Sequence, residues 1–132
     1  MSRGKSGMNK NGPYEEYYEN GQLKKKGASK DGEKHGPVEL YYENGRLKLR
    51  GTYNGGRKNG LYEKYYDNGQ LNAKGAYNND KKDGPFKSYL EEGNLLERGT
   101  YHSGEKCGEW IENGETVTYD PCPTQLDDGG YQ

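Results

Sequence analysis

Apolar and polar residues alternate along short segments of this chain, and tight turn signals separate the segments. The pattern is clearest in 36–59, where Gly36 and Pro37 open a Tyr-rich segment, Glu43-Asn44-Gly45 reverses it, and 46–53 leads back. Alternation with a period of two is typical of strands, and Asn-Gly between such segments is the strongest local hairpin signal. The segment therefore predicts one antiparallel β-hairpin.

This hairpin pattern recurs at a fixed interval. Its leading glycine returns every 24 residues, at Gly12, Gly36, Gly60, Gly84 and Gly108. A fixed period of about 20 to 50 residues is typical of repeat proteins, and short connections favour antiparallel pairing of consecutive strands. The sequence therefore predicts an all-β fold, an elongated antiparallel β-meander or solenoid of hairpin repeats.

The repeats divide the chain into three parts. Residues 1–11 are polar, basic and Gly-rich, and we expect a flexible leader there. The array is expected over 12–119, as 12–35, 36–59, 60–83, 84–107 and a shortened capping hairpin at 108–119. Residues 120–132 contain prolines and an Asp-Asp-Gly-Gly run, which predicts a loose acidic tail.

A two-residue Asn-Gly turn of type I′, with positive φ at both residues, would fix the register of each hairpin. It places Tyr18 opposite Leu23, Glu16 opposite Lys25, and Tyr14 opposite Gly27. The equivalent pairs are Tyr42–Leu47, Tyr66–Leu71, Leu90–Leu95, Leu40–Leu49, Lys64–Ala73, Ser88–Glu97, Val38–Gly51, Tyr62–Gly75 and Phe86–Gly99. Opposed residues match in character, and a ring over a cross-strand glycine stabilises a weak sheet position.

Alternation then assigns the residues to two faces. The core face carries the apolar rows: Tyr14, Val38, Tyr62 and Phe86, the leucines with the Tyr18 row, and Tyr53, Tyr77 and Tyr101. The ladder face carries Glu15, Glu39 and Glu63 opposite Lys26, Arg50 and Lys74, together with Tyr17, Tyr41, Tyr65 and Tyr89. Lys87 opposite Arg98 is the expected like-charge exception. We expect the core face to be buried.

Composition changes the picture of the core. Hydrophobic residues make up 27% of the chain, and Leu, Ile, Val and Phe together number 14, a level typical of disordered chains when net charge is high. Here the formal net charge is -1, and 14 tyrosines recur in register. Because each tyrosine carries a large apolar area, the sequence predicts a folded protein with a thin tyrosine core.

Location and redox state are indicated by absences and by two cysteines. The sequence shows no apolar run that would span a membrane and no apolar stretch of a secretory signal near Met1, which favours the cytoplasm. Cys107 and Cys122 are too few for a zinc site or a disulfide framework. A bridge between them and two free thiols are both open, and a reducing compartment favours the thiols.

The repeat unit Gly-Pro-Tyr-x-x-Tyr-Tyr-Glu-Asn-Gly-x-Leu-Lys-x-x-Gly-x-Tyr, closing on Lys-x-Gly, resembles the MORN repeat variant of bacteria, found in YwqK-like proteins that are often labelled antitoxins. The resemblance covers about residues 12–119. It implies an elongated hairpin array with no catalysis and a binding or scaffolding role. For the YwqK-like subset it implies neutralisation of a partner toxin; other MORN arrays are linked to membranes, dimerisation or an enzyme domain. Glu92 (for the turn Asn) and Ser29 (for Tyr) depart from the pattern.

The sequence contains no recognisable catalytic, cofactor-binding or metal-binding constellation. His35 and His102 fall in predicted turns without an HExxH partner or paired cysteines, so we interpret them as surface turn residues. Gly55-Gly56 lacks the following helix of a phosphate loop, and Asn79-Asp80 with Asp83 lacks EF-hand spacing. The chain is therefore predicted to be no enzyme and to bind no cofactor.

The tyrosine row of the ladder face is the feature most suited to a function. Tyrosine is enriched in interfaces because it offers a large rigid surface with one polar tip. The candidate partner-binding residues are Tyr17, Tyr41, Tyr65, Tyr89, Glu39, Arg50, Glu63 and Lys74. The alternative is that these rings lie along the stems of Lys24 and Lys48, or form a second core layer.

The leading functional hypothesis is a non-enzymatic protein-binding repeat module of the antitoxin or immunity type, which occludes a toxin or effector protein. The alternative is a structural or membrane-peripheral scaffold, and open sheet edges leave a homodimer as a further option. Nucleic acid is not expected as a partner because the charge is balanced, and the same balance disfavours membrane lipid.

Overall fold

A computed structural model describes residues 10–123, which form one antiparallel sheet of 13 strands with no helix. The strands are β1 (Gly12–Tyr17), β2 (Leu23–Lys30), β3 (Glu33–Lys34), β4 (Gly36–Tyr41), β5 (Leu47–Asn54), β6 (Arg57–Lys58), β7 (Gly60–Tyr65), β8 (Leu71–Asn78), β9 (Lys81–Lys82), β10 (Gly84–Tyr89), β11 (Leu95–His102), β12 (Glu105–Glu112) and β13 (Glu115–Thr118). The predicted all-β meander is confirmed. The leader (1–11) and tail (120–132) predictions fall largely outside the described residues.

Pairing is extensive within a repeat and narrow between the first four repeats. β1 and β2 pair over six residue positions, whereas β2 and β4 pair only at Lys25–Leu40 and Lys26–Glu39. The short strands β3, β6 and β9 pair with β2, β5 and β8, respectively. They do not belong to the main series of neighbouring strands. Contacts between neighbouring repeats therefore depend strongly on side chains. Over residues 10–123 the structure contains no helix that is long and apolar enough to cross a membrane.

The Glu-Asn-Gly turns differ from the predicted geometry. The Gly21 N–H donates to the Tyr18 carbonyl oxygen at 3.0 Å, and Gly21 has a φ of 91° while Asn20 keeps a negative φ. This is a type I turn followed by a left-handed glycine, a three-residue loop. The type I′ prediction is therefore wrong at these turns. Positive φ at both central residues occurs instead between hairpins, as at Asn79 (51°) and Asp80 (72°).

The longer loop changes the register beside the turn but not beyond it. Glu16 faces Lys25, and the predicted pairs from this position outward are confirmed in all four hairpins. Leu23 faces Tyr17 rather than Tyr18, because Lys24 is an extra residue at a β-bulge. The predicted pairs Tyr18–Leu23, Tyr42–Leu47, Tyr66–Leu71 and Leu90–Leu95 are wrong, since Leu47, Leu71 and Leu95 face Tyr41, Tyr65 and Tyr89.

The core lies on the predicted face as a single layer of side chains. The leucine row is not part of it: Leu23, Leu47, Leu71 and Leu95 pair with the ladder-face tyrosines, so their predicted place on the core face is wrong. The row Tyr14, Val38, Tyr62 and Phe86 is buried, and Trp110 is fully buried at 0% exposure. Neighbouring rings touch, with centroid distances of 4.8 Å for Tyr62–Tyr77 and 5.9 Å for Phe86–Trp110. Aromatic area thus replaces the missing aliphatic residues, as the composition predicts.

The glycine row on this face is covered by rings, but not always by the opposed residue. A Cβ on Gly99 would lie 2.1 Å from the Trp110 ring, so Trp110 rather than Phe86 covers this glycine. A Cβ on Gly51 would meet only Tyr62 Cβ, at 3.6 Å. The glycine at position 99 is therefore required by close packing, whereas position 51 has room for a methyl group.

A disulfide closes the C-terminal end of the array. Cys107 and Cys122 are bonded, so the preference for two free thiols is wrong. The bridge holds the chain after β13 against β12, where Gly108 N–H donates to the Asp120 carbonyl oxygen at 2.7 Å. Tyr119 N–H returns a bond to the Gly108 carbonyl oxygen at 2.9 Å. The segment after β13 is therefore fixed to the sheet.

Candidate functional site

A row of alternating charges crosses the ladder face. Arg50 lies between two carboxylates, with its Nε 3.9 Å from Glu39 Oε2 and its Nη1 3.3 Å from Glu63 Oε1. Lys26 Nζ lies 4.0 Å from Glu39 Oε1 and extends the row into the first repeat. Because these side chains are partly exposed, each pair contributes little to stability. The row is better suited to complementing the charges of a partner.

Three of the four predicted tyrosines are held by the glutamate two residues earlier in the same strand. The hydroxyl–carboxylate pairs are Tyr17–Glu15, Tyr41–Glu39 and Tyr65–Glu63. The oxygen–oxygen distance is 2.5 Å for the second pair and 2.7 Å for the third. Because each carboxylate accepts a hydrogen bond from the neutral tyrosine, it raises the pKa of that tyrosine in all three pairs. The rings are thus fixed before any partner arrives, which lowers the entropy cost of binding.

The pattern ends at Tyr89. Lys87 stands where the other repeats have glutamate, and it faces Arg98 as predicted. Lys74, the last of the predicted basic residues, lies between Glu63 on β7 and Lys87 on β10. The ordered part of the tyrosine row therefore runs from Tyr17 to Tyr65, and a purely basic patch follows it.

Exposure separates these rings from the core. Tyr17 is 57% exposed, and Tyr41, Tyr65 and Tyr89 are half-buried. The stems of Lys24 and Lys48 do not cover these rings. Lys24 and Lys48 stand over the rings of Tyr18 and Tyr42, at 5.5 and 5.4 Å from the ring centroids. The ladder-face rings are consequently open to contact along one edge.

Sequence reasoning missed an apolar side chain on this face. Leu61 is 78% exposed, the largest exposure among the big hydrophobic residues of the described chain. It occupies the position that is proline in the other three hairpins, and it lines a shallow hollow with Ala76 and Pro85. The single Gly-Leu among Gly-Pro pairs was the available signal. Leu61 therefore adds exposed apolar area to the ladder face.

Sequence reasoning also missed the contacts that orient the row. Tyr18, Tyr42 and Tyr66 each donate their hydroxyl to a carbonyl oxygen in the next repeat, that of Tyr41, Tyr65 and Tyr89, at 2.6, 2.6 and 2.7 Å. The turn asparagines act in parallel, as Asn44 Nδ2 donates to the Asp67 carbonyl oxygen at 3.2 Å. Each hairpin turn therefore positions the ladder-face tyrosine of the following hairpin.

Polar side chains of the connecting turns accept hydrogen bonds from backbone N–H groups of neighbouring repeats. Asp80 Oδ1 accepts the Lys58 N–H at 2.8 Å, and Asp83 Oδ1 accepts the Ser103 N–H at 2.9 Å. His102 Nδ1 lies 3.5 Å from the same Asp83 oxygen. Within residues 10–123, no three His, Cys, Asp or Glu side chains are grouped so as to hold a metal ion. These residues join neighbouring repeats.

The comparison with known families agrees with the repeat boundaries seen in the sheet. The MORN repeat variant family matches residues 10–31, 34–54, 58–79 and 82–103. Each matched segment contains one of the hairpins β1–β2, β4–β5, β7–β8 and β10–β11. No curated protein matches the chain. Because the four segments together cover more than half of the sequence, the chain belongs to the MORN repeat variant family.

Proposed function

We propose that this chain is a non-enzymatic protein-binding module whose ladder face docks onto a partner protein. The observation that carries the proposal is the row Tyr17, Tyr41 and Tyr65, held by glutamates and interleaved with the charges around Arg50. Membership of a repeat family supports a binding role, because repeat arrays expose extended faces made of equivalent residues.

The dimensions of the ladder face suit a protein partner. Two strands per repeat, each about 4.8 Å wide, make three repeats roughly 30 Å long, and six-residue strands are roughly 20 Å long. Such a patch approaches the ~800 Å² that one partner contributes to a standard interface. Leu61 supplies an apolar contact within it, and Arg50 belongs to a residue type enriched at binding hot spots.

The partner in this proposal is a toxin or effector that the array occludes, as an antitoxin or immunity protein does. Support comes from the pre-formed surface: the glutamate-held tyrosines need no rearrangement to cover a partner's site. An array without moving parts blocks by occupying a surface, so inhibition should follow binding one to one.

The test is capture of a partner from the native host by the tagged full chain. Tyr41→Ala combined with Tyr65→Ala should weaken capture more than about tenfold, since each ring is a candidate hot spot worth about 1 kcal/mol or more. The melting temperature should barely change. Glu19→Ala with Glu91→Ala, at exposed turn carboxylates, is the control and should capture normally. A large fall in melting temperature for the tyrosine variant would instead place those rings in the core.

A second pair of variants changes exposed side chains only, so the fold should be unaffected. Leu61→Ala removes an exposed apolar side chain from the ladder face, and Leu90→Ala removes one that is 38% exposed at a hairpin turn. Only Leu61→Ala should reduce partner capture. Equal capture by both variants would argue against a ladder-face interface.

The antitoxin role has its own test. The captured partner's activity should fall in proportion to added chain and be lost at equal molar amounts. Binding without inhibition would remove the antitoxin role and leave the binding module. Stoichiometric dimerisation or vesicle co-sedimentation with no partner protein would favour the scaffold alternative.

The compartment belongs to the proposal as well. The sequence favours a cytoplasmic location. The Cys107–Cys122 bridge favours an oxidising compartment instead, because disulfides persist mainly there. Thiol labelling of the chain in intact native cells should find both cysteines reactive if the protein works in a reducing cytoplasm.

A further inference from the structure

The core face carries an open groove that the proposed ladder-face function does not use. Its volume is about 310 Å³, and its walls come from β2, β4, β5, β7 and β8 with the adjoining short strands. Side chains of the floor include Val38, Leu49, Tyr53, Tyr62 and Tyr77, and the basic residues around it are Lys25, Lys34, Lys58 and Lys64. The groove thus combines an apolar, aromatic floor with basic walls.

The lysines of the short strands form a regular row along this face. Lys34 Nζ lies 5.1 Å from the ring centroid of Tyr53, and Lys58 Nζ lies 5.0 Å from that of Tyr77. Lys82 repeats the arrangement one unit further, 5.1 Å from Tyr101. Backbone bonds join the successive connections, as where the Asp80 N–H donates to the Lys58 carbonyl oxygen at 2.9 Å. The row therefore advances by one lysine and one ring per repeat.

The positive charge of this row is not neutralised within residues 10–123. The structure places no carboxylate within 4.0 Å of Lys34, Lys58, Lys64 or Lys82 in that range. At the ends of the face the situation differs, because Lys25 pairs with Glu16, and Lys106 pairs with Glu97 and Glu112. Burial lowers the pKa of Lys82, the charge of Lys64 lowers it further, and the carboxylate of Glu97 opposes both. The middle of the groove is thus a basic surface whose lysines contact no carboxylate directly.

We propose that this groove binds an extended acidic peptide segment in the polyproline II conformation. Aromatic-lined grooves are the usual receptors for this conformation. Its side chains return to the same side every third residue, about every 9.3 Å. Two strands per repeat separate successive lysines by about 9.5 Å. A segment with a carboxylate at every third position therefore meets one lysine per repeat, while its prolines lie on the rings.

The shape of the site favours a peptide over a membrane or a nucleic acid. Lys34 is half-buried against the ring of Tyr53, whereas Lys58 and Lys64 are exposed, so a flat bilayer would contact only part of the groove's charge and none of its aromatic floor. The formal net charge of -1 and the glutamates of the ladder face give no long-range attraction to a large polyanion such as a nucleic acid, so binding depends on the lysines within the groove. A single narrow chain fits between the lysines and contacts the floor. This binding surface is separate from the ladder face and does not depend on it.

The first experiment measures fluorescence anisotropy of a labelled peptide of four Glu-Pro-Pro units with the full chain. Binding should be saturable and should weaken as salt is raised, because carboxylate–lysine contacts are screened. A peptide of the same composition with its glutamates clustered at one end should bind about tenfold more weakly, since it loses the match with the row. Lys-Pro-Pro repeats should not bind.

Variants then locate the site. Lys34→Gln with Lys58→Gln should weaken binding about tenfold, because two contacts with the carboxylates of the peptide are lost. The matched control is Lys24→Gln with Lys48→Gln, which also removes two lysines from above tyrosine rings but at the hairpin turns, outside the groove. The control should bind within twofold of the unaltered chain.

Three results would overturn the proposal: no binding of Glu-Pro-Pro repeats, equal weakening by both double variants, or stronger binding of anionic vesicles or single-stranded DNA than of the peptide. If Lys34→Gln with Lys58→Gln lowers the melting temperature, Lys64→Gln replaces it, because Lys64 lines the groove without covering a ring. Partner capture through the ladder face should be unchanged in every groove variant, so failure here leaves the proposed function untouched.

Discussion

The two ends of the array differ in the side chains that cover the terminal hairpins. At the N-terminal end, the outer strand β1 is covered on the core face by Tyr14, whose ring lies over Gly27. At the C-terminal end, Trp110 is fully buried and packs against three rings, those of Phe86, Tyr101 and Tyr119, with centroids at 5.9, 5.1 and 6.4 Å. One end has a single ring over a glycine, and the other has a small aromatic cluster.

Polar contacts widen the difference between the ends. The indole N–H of Trp110 donates to the carbonyl oxygens of Thr100 and Cys107, at 3.1 and 3.2 Å. Above the ring, Lys106 Nζ lies 4.5 Å from its centroid and 2.8 Å from Glu112 Oε2. The disulfide then fixes the segment that follows β13. The C-terminal end is therefore a built cap.

This difference indicates where the array opens first. In a repeat protein each unit is stabilised mainly by its neighbours, so a terminal unit depends on its cap. The first hairpin has one neighbour and no cap within residues 10–123, whereas the fourth hairpin is covered by Trp110 and the strands β12 and β13. We therefore expect opening to begin at the first hairpin and the C-terminal cluster to open last.

The largest expected effect comes from removing the ring at the centre of the cap. Trp110→Ala should lower the free energy of unfolding by about 3–5 kcal/mol, because a buried cavity replaces the ring. Tyr14→Ala, the matched change at the other end, should cost less, since its hairpin is already the weaker one. Urea denaturation followed by circular dichroism measures both. If Tyr14→Ala costs as much as Trp110→Ala, the two ends are equally important and the comparison is wrong.

Opening the disulfide should have the next largest effect. The two cysteines are 15 residues apart, and a loop of this size is worth about 3 kcal/mol in the chain-entropy account. Reductant should therefore lower the melting temperature and speed amide exchange in β12 and β13 more than in β1 and β2. Cys122→Ser is the control, because its melting temperature should not respond to reductant. An unaltered melting temperature of the unmodified chain in reductant would show that the aromatic cluster suffices.

Two glycines of the same row give a smaller effect that again separates the regions. Gly99→Ala would push a methyl group to 2.1 Å from the Trp110 ring and should cost about 1–3 kcal/mol through overpacking. Gly51→Ala meets its nearest side-chain atom at 3.6 Å and has no unusual φ, so it should be neutral or slightly stabilising. Urea midpoints compare the two variants directly. A cost at position 51 equal to that at 99 would mean that the whole row is tightly packed.

The part of each hairpin that lies away from its turn could be predicted from the sequence, because two independent sequence patterns indicate the same register. Alternation and the ring–glycine pairs fix the same register independently, and both are satisfied at Tyr14–Gly27 and Tyr62–Gly75. The turns could not be predicted in this way. Asn-Gly fits a two-residue type I′ turn and also a three-residue loop with a left-handed glycine, and the choice moves Leu23 from Tyr18 to Tyr17.

The role of the turn residues could not be predicted because their partners lie in the next repeat. The turn asparagine of the third repeat, Asn68, donates to the Glu91 carbonyl oxygen at 3.3 Å, and Tyr66 donates to that of Tyr89 at 2.7 Å. The fourth repeat has Leu90 and Glu92 at these two positions. Leu90 has no hydroxyl and Glu92 has no side-chain amide N–H, so neither can donate an equivalent bond to the unit that follows. Departures from the pattern therefore mark the end of this ladder of contacts between repeats.

The smallest expected effect tests that ladder of contacts. Tyr66→Phe removes only the hydroxyl that joins the third repeat to the fourth, and it should lower the free energy of unfolding by about 1 kcal/mol, the usual net value of one hydrogen bond. Tyr17→Phe is the matched control, since it removes a hydroxyl that bonds Glu15 on an exposed strand of the same hairpin. It should cost clearly less than Tyr66→Phe, because the hydroxyl is exposed to solvent. Amide exchange in β10 should rise only in Tyr66→Phe, because that bond holds β10 to the preceding hairpin. Equal costs for the two variants would mean that backbone pairing alone joins the repeats.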